Sequence, residues 1–190
     1  MSDLYPAMGF PAVLKEKSSL QSNCNPAWTT SDKIIVALGN PLCGDDGVGV
    51  AVLETLEKLE RLPKNVALQF DGSPDNLLDA LLSHNYRTVI IVDSALVQRS
   101  PGEWVRFTLQ EAILKSGVPN INISMHNTSL AEVLALSTVL KLELPEIVIY
   151  GVQPMEVKWF YGLSDAVKMV VPEICASILE ELEGKRDSCE

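Results

Sequence analysis

Two adjacent acids, Asp45 and Asp46, lie in the segment LGNPLCGDDGVG at residues 38–49, which follows a β-rich run and opens an amphipathic one. Gly39 and Gly44 have the spacing of a phosphate loop, but two carboxylates replace the Lys-Ser/Thr pair that would grip a phosphate. A helix N-terminus stabilises Asp side chains, so either acid alone reads equally well as a first-turn residue. Their company argues for more. Asp71 closes a second β-rich run and Asp93 a third, so carboxylates from separate strands converge on one edge. Convergent carboxylates repel each other unless a cation or proton joins them. One of the pair can cap while the other points into the site.

His126, in Ser124-Met125-His126-Asn127-Thr128, adds nitrogen to this oxygen-rich edge, just before a capping box formed by Ser129 and Glu132. A lone histidine is more often structural than a ligand. A place near a helix N-terminus, however, disfavours imidazolium, and neutral imidazole is the form that binds a metal. His84 falls at the expected C-terminal end of a helix, where a cation is simply favourable, and is read as structural. Two carboxylates and one imidazole suit Zn, Ni or a similar borderline ion with open coordination positions, and the residue types do not choose among them. Asn40 and Gly39 could supply a polarising amide or a close backbone approach, with a turn role equally open. No Ser-His-Asp arrangement or catalytic-cysteine context is apparent. Cys43, the only cysteine near the site, reads as a small apolar turn residue.

The elements that must position these residues alternate between short β-rich runs and helical ones, the pattern of βαβ units around a mainly parallel sheet. Strands are expected at Ile34–Leu38, Val66–Phe70, Thr88–Val92 and Ile147–Tyr150, with Trp104–Phe107 as an extra strand after the Pro101-Gly102 turn. Val48, Val52, Leu56 and Leu59 repeat at helical spacing, with Glu54, Glu57, Lys58 and Glu60 on the wet face. A second helix should run from about Pro74 to Ser83, a third should start at Ser129 and a fourth near Ser164. The fourth carries the apolar stripe Val167, Val171, Ile174, Ile178 and Leu182, and Pro172 must kink or restart it. Parallel α/β sheets bind ligands at the carboxyl ends of their strands, which is where Asp46, Asp93 and His126 fall.

A chain of 190 residues can bury one substantial core and is short for two domains. Residues 1–32, rich in Ser, Asn and Pro, read as a loose extension before a single domain over residues 33–190. With 25 Asp and Glu against 15 Lys and Arg, the surface repels phosphate backbones and anionic headgroups, which argues against nucleic acid and membrane partners. Four scattered cysteines without a CxxC pair suit a reducing cytosol. The N-terminus lacks the sustained apolar stretch of a signal peptide, and no apolar run approaches the roughly 20 residues of a membrane helix. A cytoplasmic monomer is the expectation.

Four segments in order, LGNPLCGDDGVGV, then VIIVDSA at 89–95, MHNTSLAEVL at 125–134 and YGVQP at 150–154, resemble the hydrogenase maturation endopeptidases over residues 33–183. The resemblance implies a phosphorylase/hydrolase-like α/β fold: a three-layer sandwich with a twisted, mainly parallel central sheet. It implies an endopeptidase that removes a C-terminal extension from a nickel–iron hydrogenase large-subunit precursor after nickel insertion. Carried over by residue, the metal-site and catalytic roles fall on Asp46, Asp93 and His126. The nickel would arrive with the substrate, held by the precursor's thiolates, so that the isolated enzyme is metal-free. Once docked it could orient the scissile peptide or polarise a water or carbonyl. Ala37 stands where a first glycine is common in that family, and Asp71-Gly72-Ser73-Pro74 replaces a more glycine-rich turn.

Two rivals share some of these features. A peptidyl-tRNA hydrolase-like enzyme also opens with a strand and Gly-Asn-Pro, but it needs a basic face and an Arg-His-Asn segment that this acidic chain lacks. A dinucleotide-binding domain with Asp71 on the ribose would need GxGxxG, and would set Asp45 and Asp46 against the pyrophosphate.

Overall fold

The computed structural model describes residues 31–59, 61–70, 77, 81, 86–111, 139 and 143–184. Five strands, β1 (Lys33–Ala37), β2 (Val66–Phe70), β3 (Thr88–Ser94), β4 (Trp104–Thr108) and β5 (Glu146–Val152), form one sheet in the order β2-β1-β3-β5-β4. The four strands β2, β1, β3 and β5 run parallel and β4 pairs antiparallel with β5. The central strands are near-continuous runs of β-branched residues, KIIVA and TVIIVDS, because helices cover both of their faces. β2 and β4 are half-buried, as edge strands are.

Alternation along the strands splits the core in two. Ile35, Ala37, Ile90, Val92, Val148 and Tyr150 face helices α1 (Val48–Lys58) and α2 (Asp165–Leu182). Ile34, Val36, Val89, Ile91, Ile147 and Ile149 face the other way, onto the buried helical residues Leu77 and Leu81. The result is a three-layer α/β sandwich, as expected. Each fully buried Ile, Leu or Val contributes about 1.5–3 kcal/mol relative to exposure, so both layers are needed to hold the sheet.

The structure lengthens or shifts several of the expected elements. β1 begins at Lys33, one residue early, and β3 and β5 extend to Ser94 and Val152. The longer β3 places Asp93 inside the strand's last turn of pleat rather than after it. Ser164 caps α2, accepting from the Val167 N–H at 3.4 Å. That helix runs through Pro172 as one element, so the proline does not restart it. Among the described residues no helix is long and apolar enough to cross a membrane. His126, His84, Asp71, the capping box at Ser129 and Glu132, most of the helix expected over 74–83 and residues 1–30 lie outside the described residues.

Candidate active site

The parallel register builds the site. Ala37 of β1 pairs with Val92 of β3, and the Leu38 N–H donates to the Val92 carbonyl at 3.0 Å, so the turn after β1 starts level with Asp93. Gly39 makes that turn possible. Its φ is +101°, and a Cβ there would collide with the Asp46 carbonyl, so the chain folds back over its own glycine. Gly49 does the same for the helix: a Cβ would lie 2.6 Å from the Val92 carbonyl oxygen and 2.7 Å from that of Leu38. Both glycines therefore press the 3-10 turn Gly44–Gly47 and the start of α1 onto the carboxyl ends of β1 and β3.

Asp46 is fully buried there. Its Oδ2 accepts from the Asn40 N–H at 2.7 Å and its Oδ1 from the Ser94 hydroxyl at 2.7 Å. Asp93 is equally buried, and its Oδ1 accepts from the Ser94 N–H at 2.8 Å. Ser94 thus bonds both acids, one through its side chain and one through its backbone. The second oxygen of Asp93, Oδ2, is buried without a hydrogen-bond partner. Burial, and then the neighbouring charge of Asp46, push the Asp93 carboxyl well above its ordinary value, and the Ser94 N–H draws it partly back. Two buried carboxylates with one oxygen unmatched are a place for a cation or a shared proton.

Asp45 has a different task from its neighbour. The reading in which one of the two acids caps its own helix does not hold, since neither the 3-10 turn nor α1 has a side-chain cap. Asp45 instead reaches across to the β5–α2 connection. Its Oδ2 accepts from the N–H groups of Met155 at 2.8 Å and Glu156 at 3.3 Å and from the Ser164 hydroxyl at 2.9 Å, and its Oδ1 from the Ser164 N–H at 2.6 Å. Nothing local in the sequence marks this partner, more than a hundred residues away.

Asn40 proves to be a turn residue, its side-chain oxygen accepting from the Leu42 N–H at 2.9 Å while its own N–H holds Asp46. Cys43 is half-buried and free, forming an isolated bridge with Phe160. Sequence reasoning gave no role to Ser94, although it lies within the segment VIIVDSA. Only its place directly after Asp93 could have drawn notice. Among the described residues no third His, Cys, Asp or Glu completes a metal-binding group with Asp46 and Asp93.

Residues 50–181 match the family model described as hydrogenase maturation protease. A putative hydrogenase maturation protease of Methanocaldococcus jannaschii is 31% identical over 159 residues, covering 80% of this chain and 97% of its own length. The chain belongs to the hydrogenase maturation protease family. The Hydrogenase 3 maturation protease of Escherichia coli K12 is 27% identical over 153 residues, 80% of this chain and 88% of that one. Among solved structures, the nickel–iron hydrogenase maturation protease HybD of Thermococcus kodakarensis aligns with a TM-score of 0.60 at 25% identity, over 79% of this chain and 97% of that one. The Escherichia coli endopeptidase HybD shares the fold at 20% identity with a TM-score of 0.63, over 81% and 93% of the two chains. In this maturation protease the stretch matched by the family model contains Asp93 and begins after Asp46, so Asp46 joins the site through the geometry above.

Proposed function

We infer that this maturation protease removes a C-terminal extension from a nickel–iron hydrogenase large-subunit precursor once nickel is in place, and recognises the nickel carried by that substrate. Asp46 and Asp93 supply oxygen ligands, and His126, outside the described residues, supplies the nitrogen. The observation that carries the reading is the unmatched Asp93 Oδ2, buried beside Asp46 at the carboxyl edge of the sheet. A protein without use for it would not keep a buried carboxyl oxygen unmatched, because a buried polar atom without a hydrogen bond costs about 1–3 kcal/mol. Oxygen and imidazole donors also suit nickel's borderline character.

The division of labour follows from the bonds. Ser94 and the Asn40 N–H hold the two Asp46 oxygens, fixing the direction in which that carboxylate faces. Asp93 keeps one oxygen tied to the Ser94 backbone and presents the other. Two acids by themselves bind a lone divalent ion only modestly, whereas an ion already held by substrate thiolates is gripped from both sides. Specificity for the loaded precursor then needs no separate sensor.

The test compares processing of nickel-free and nickel-loaded precursor by wild type and by Asp46→Asn, a near-isosteric change that removes the charge. Cleavage of the loaded form only, with a loss on the order of 10²–10⁴-fold in Asp46→Asn, is expected. Efficient cleavage of nickel-free precursor, or wild-type activity from Asp46→Asn, would sink this mechanism.

A further inference from the structure

Seven of the ten large apolar side chains that stand exposed among the described residues lie at one end of the molecule. Leu42 follows β1, Phe70 ends β2, Leu96 follows β3, and Met155, Trp159, Phe160 and Tyr161 all follow β5. They ring the same carboxyl edge that holds Asp46 and Asp93. Trp159 is 81% exposed and Tyr161 66%, although aromatic side chains are the ones most strongly driven into a core. An apolar cluster of this kind, confined to one edge, marks an interaction surface.

The platform is held rigidly. The Asp45 carboxylate clasps residues 155, 156 and 164 at both ends of the loop. Phe160 is pinned in the middle, its N–H donating to Leu42 at 3.1 Å and its carbonyl accepting from Gly44 at 2.7 Å. Ordering is therefore complete before any partner arrives, which lowers the cost of docking. Locally the charges cancel, since Lys158 and Glu156 pair at 2.8 Å, so the surface is neutral and apolar within a chain of net charge −10. That overall charge disfavours an anionic membrane as occupant. A protease must instead bring a polypeptide to its site, and among the described residues these side chains stand at the edge of the sheet that holds the two acids.

We propose that the rim centred on Trp159, Phe160 and Tyr161 is the docking surface for the substrate protein, taking an apolar segment of the precursor beside the bond to be cut. The inference rests on the protease reading given above and adds where the substrate is held. Trp159 and Tyr161 act as anchors, and Asp45 couples their position to the turn that carries Asp46.

The experiment measures binding of the source organism's hydrogenase large-subunit precursor by biolayer interferometry, separately from its cleavage. Wild type is compared with Trp159→Ser, with Trp159→Ser/Tyr161→Ser, and with Leu59→Ser, an exposed apolar residue at the opposite end. The Kd should rise about 30-fold for Trp159→Ser and further for the double variant, as for interface anchors, with unchanged circular dichroism. Leu59→Ser should bind within about twofold of wild type, as a surface change remote from the contact does. An unchanged Kd for both rim variants overturns the proposal, as does an equal loss in Leu59→Ser. It is overturned too if Trp159→Ser abolishes a wild-type dimer, or binding to phosphatidylserine vesicles, while precursor binding is unaffected. Wild type that binds nickel-loaded precursor through the rim and leaves it uncut refutes the protease reading and keeps the docking surface. Cleavage with unaltered binding by the rim variants does the reverse.

Discussion

At the amino end of the sheet Lys33 extends its ammonium to the Leu182 carbonyl, 2.9 Å away at the C-terminus of α2, and Thr88 bonds Glu146 at 3.1 Å. At the carboxyl end Asp93 and Asp46 face each other in a dry site with one oxygen unmatched, and tryptophan and tyrosine stand in water. The amino end also holds a cavity of about 390 Å³, whose lining mixes the acids Asp32, Glu146 and Glu181 with the bases Lys33 and Arg87. One end obeys the rules of folding, with cations on helix C-termini and few large apolar groups exposed. The other inverts them. A fold tolerates such inversions where function requires them and supports them from elsewhere, here through the double core beneath the sheet.

Within the carboxyl end a second contrast separates neighbours. Asp45 is a buried acid with four donors and Asp46 a buried acid facing another acid. Removing Asp45 should have the largest effect on stability. Asp45→Ala would strand the N–H groups of Met155 and Ser164, a loss of roughly 3–5 kcal/mol. Chemical denaturation should show it, and limited proteolysis should open the 155–164 loop first. A loop that stays protected would mean that the Phe160 bridge, and not Asp45, holds the platform.

Asp93→Asn should move stability the other way. Asn can keep the bond from the Ser94 N–H while removing the charge that opposes Asp46. A gain of about 2 kcal/mol corresponds to a Tm increase of roughly 4–8 °C for a domain of this size. Because burial and Asp46 raise the folded-state value of Asp93, its contribution to stability is fully present below the ordinary carboxylate range and is lost as pH rises through the raised value. The advantage of the variant should therefore appear at neutral pH and vanish in acid, as calorimetry across pH would show, while processing activity is lost. A Tm below that of wild type at neutral pH would mean that the pair is already neutralised.

The smallest effect is expected at the amino end. Lys33→Met removes a cation from a helix C-terminus, worth about 0.3–1 kcal/mol, and should leave precursor processing untouched. A large loss of activity would erase the distinction drawn between the two ends.

By itself the sequence determined the sheet and the helices α1 and α2, because β-branched runs such as VIIV and a 3.6-residue apolar repeat over Val48, Val52 and Leu56 are local signals. It also placed Asp46 and Asp93 on one edge, since each follows or ends a strand of a mainly parallel sheet, and its motifs pointed to the family that the match over residues 50–181 shows. His126 was legible as a candidate for the same reasons and lies outside the described residues. Only the tertiary structure decided that Asp45 clasps a loop 110 residues away, that Ser94 bonds both acids, and that Trp159 and Tyr161 are left in water. Those facts depend on which carboxylate oxygen meets which N–H after the sheet has registered. Hydrogen bonds at such separations leave no periodic trace in the chain, whereas burial along a strand or helix writes one at every turn.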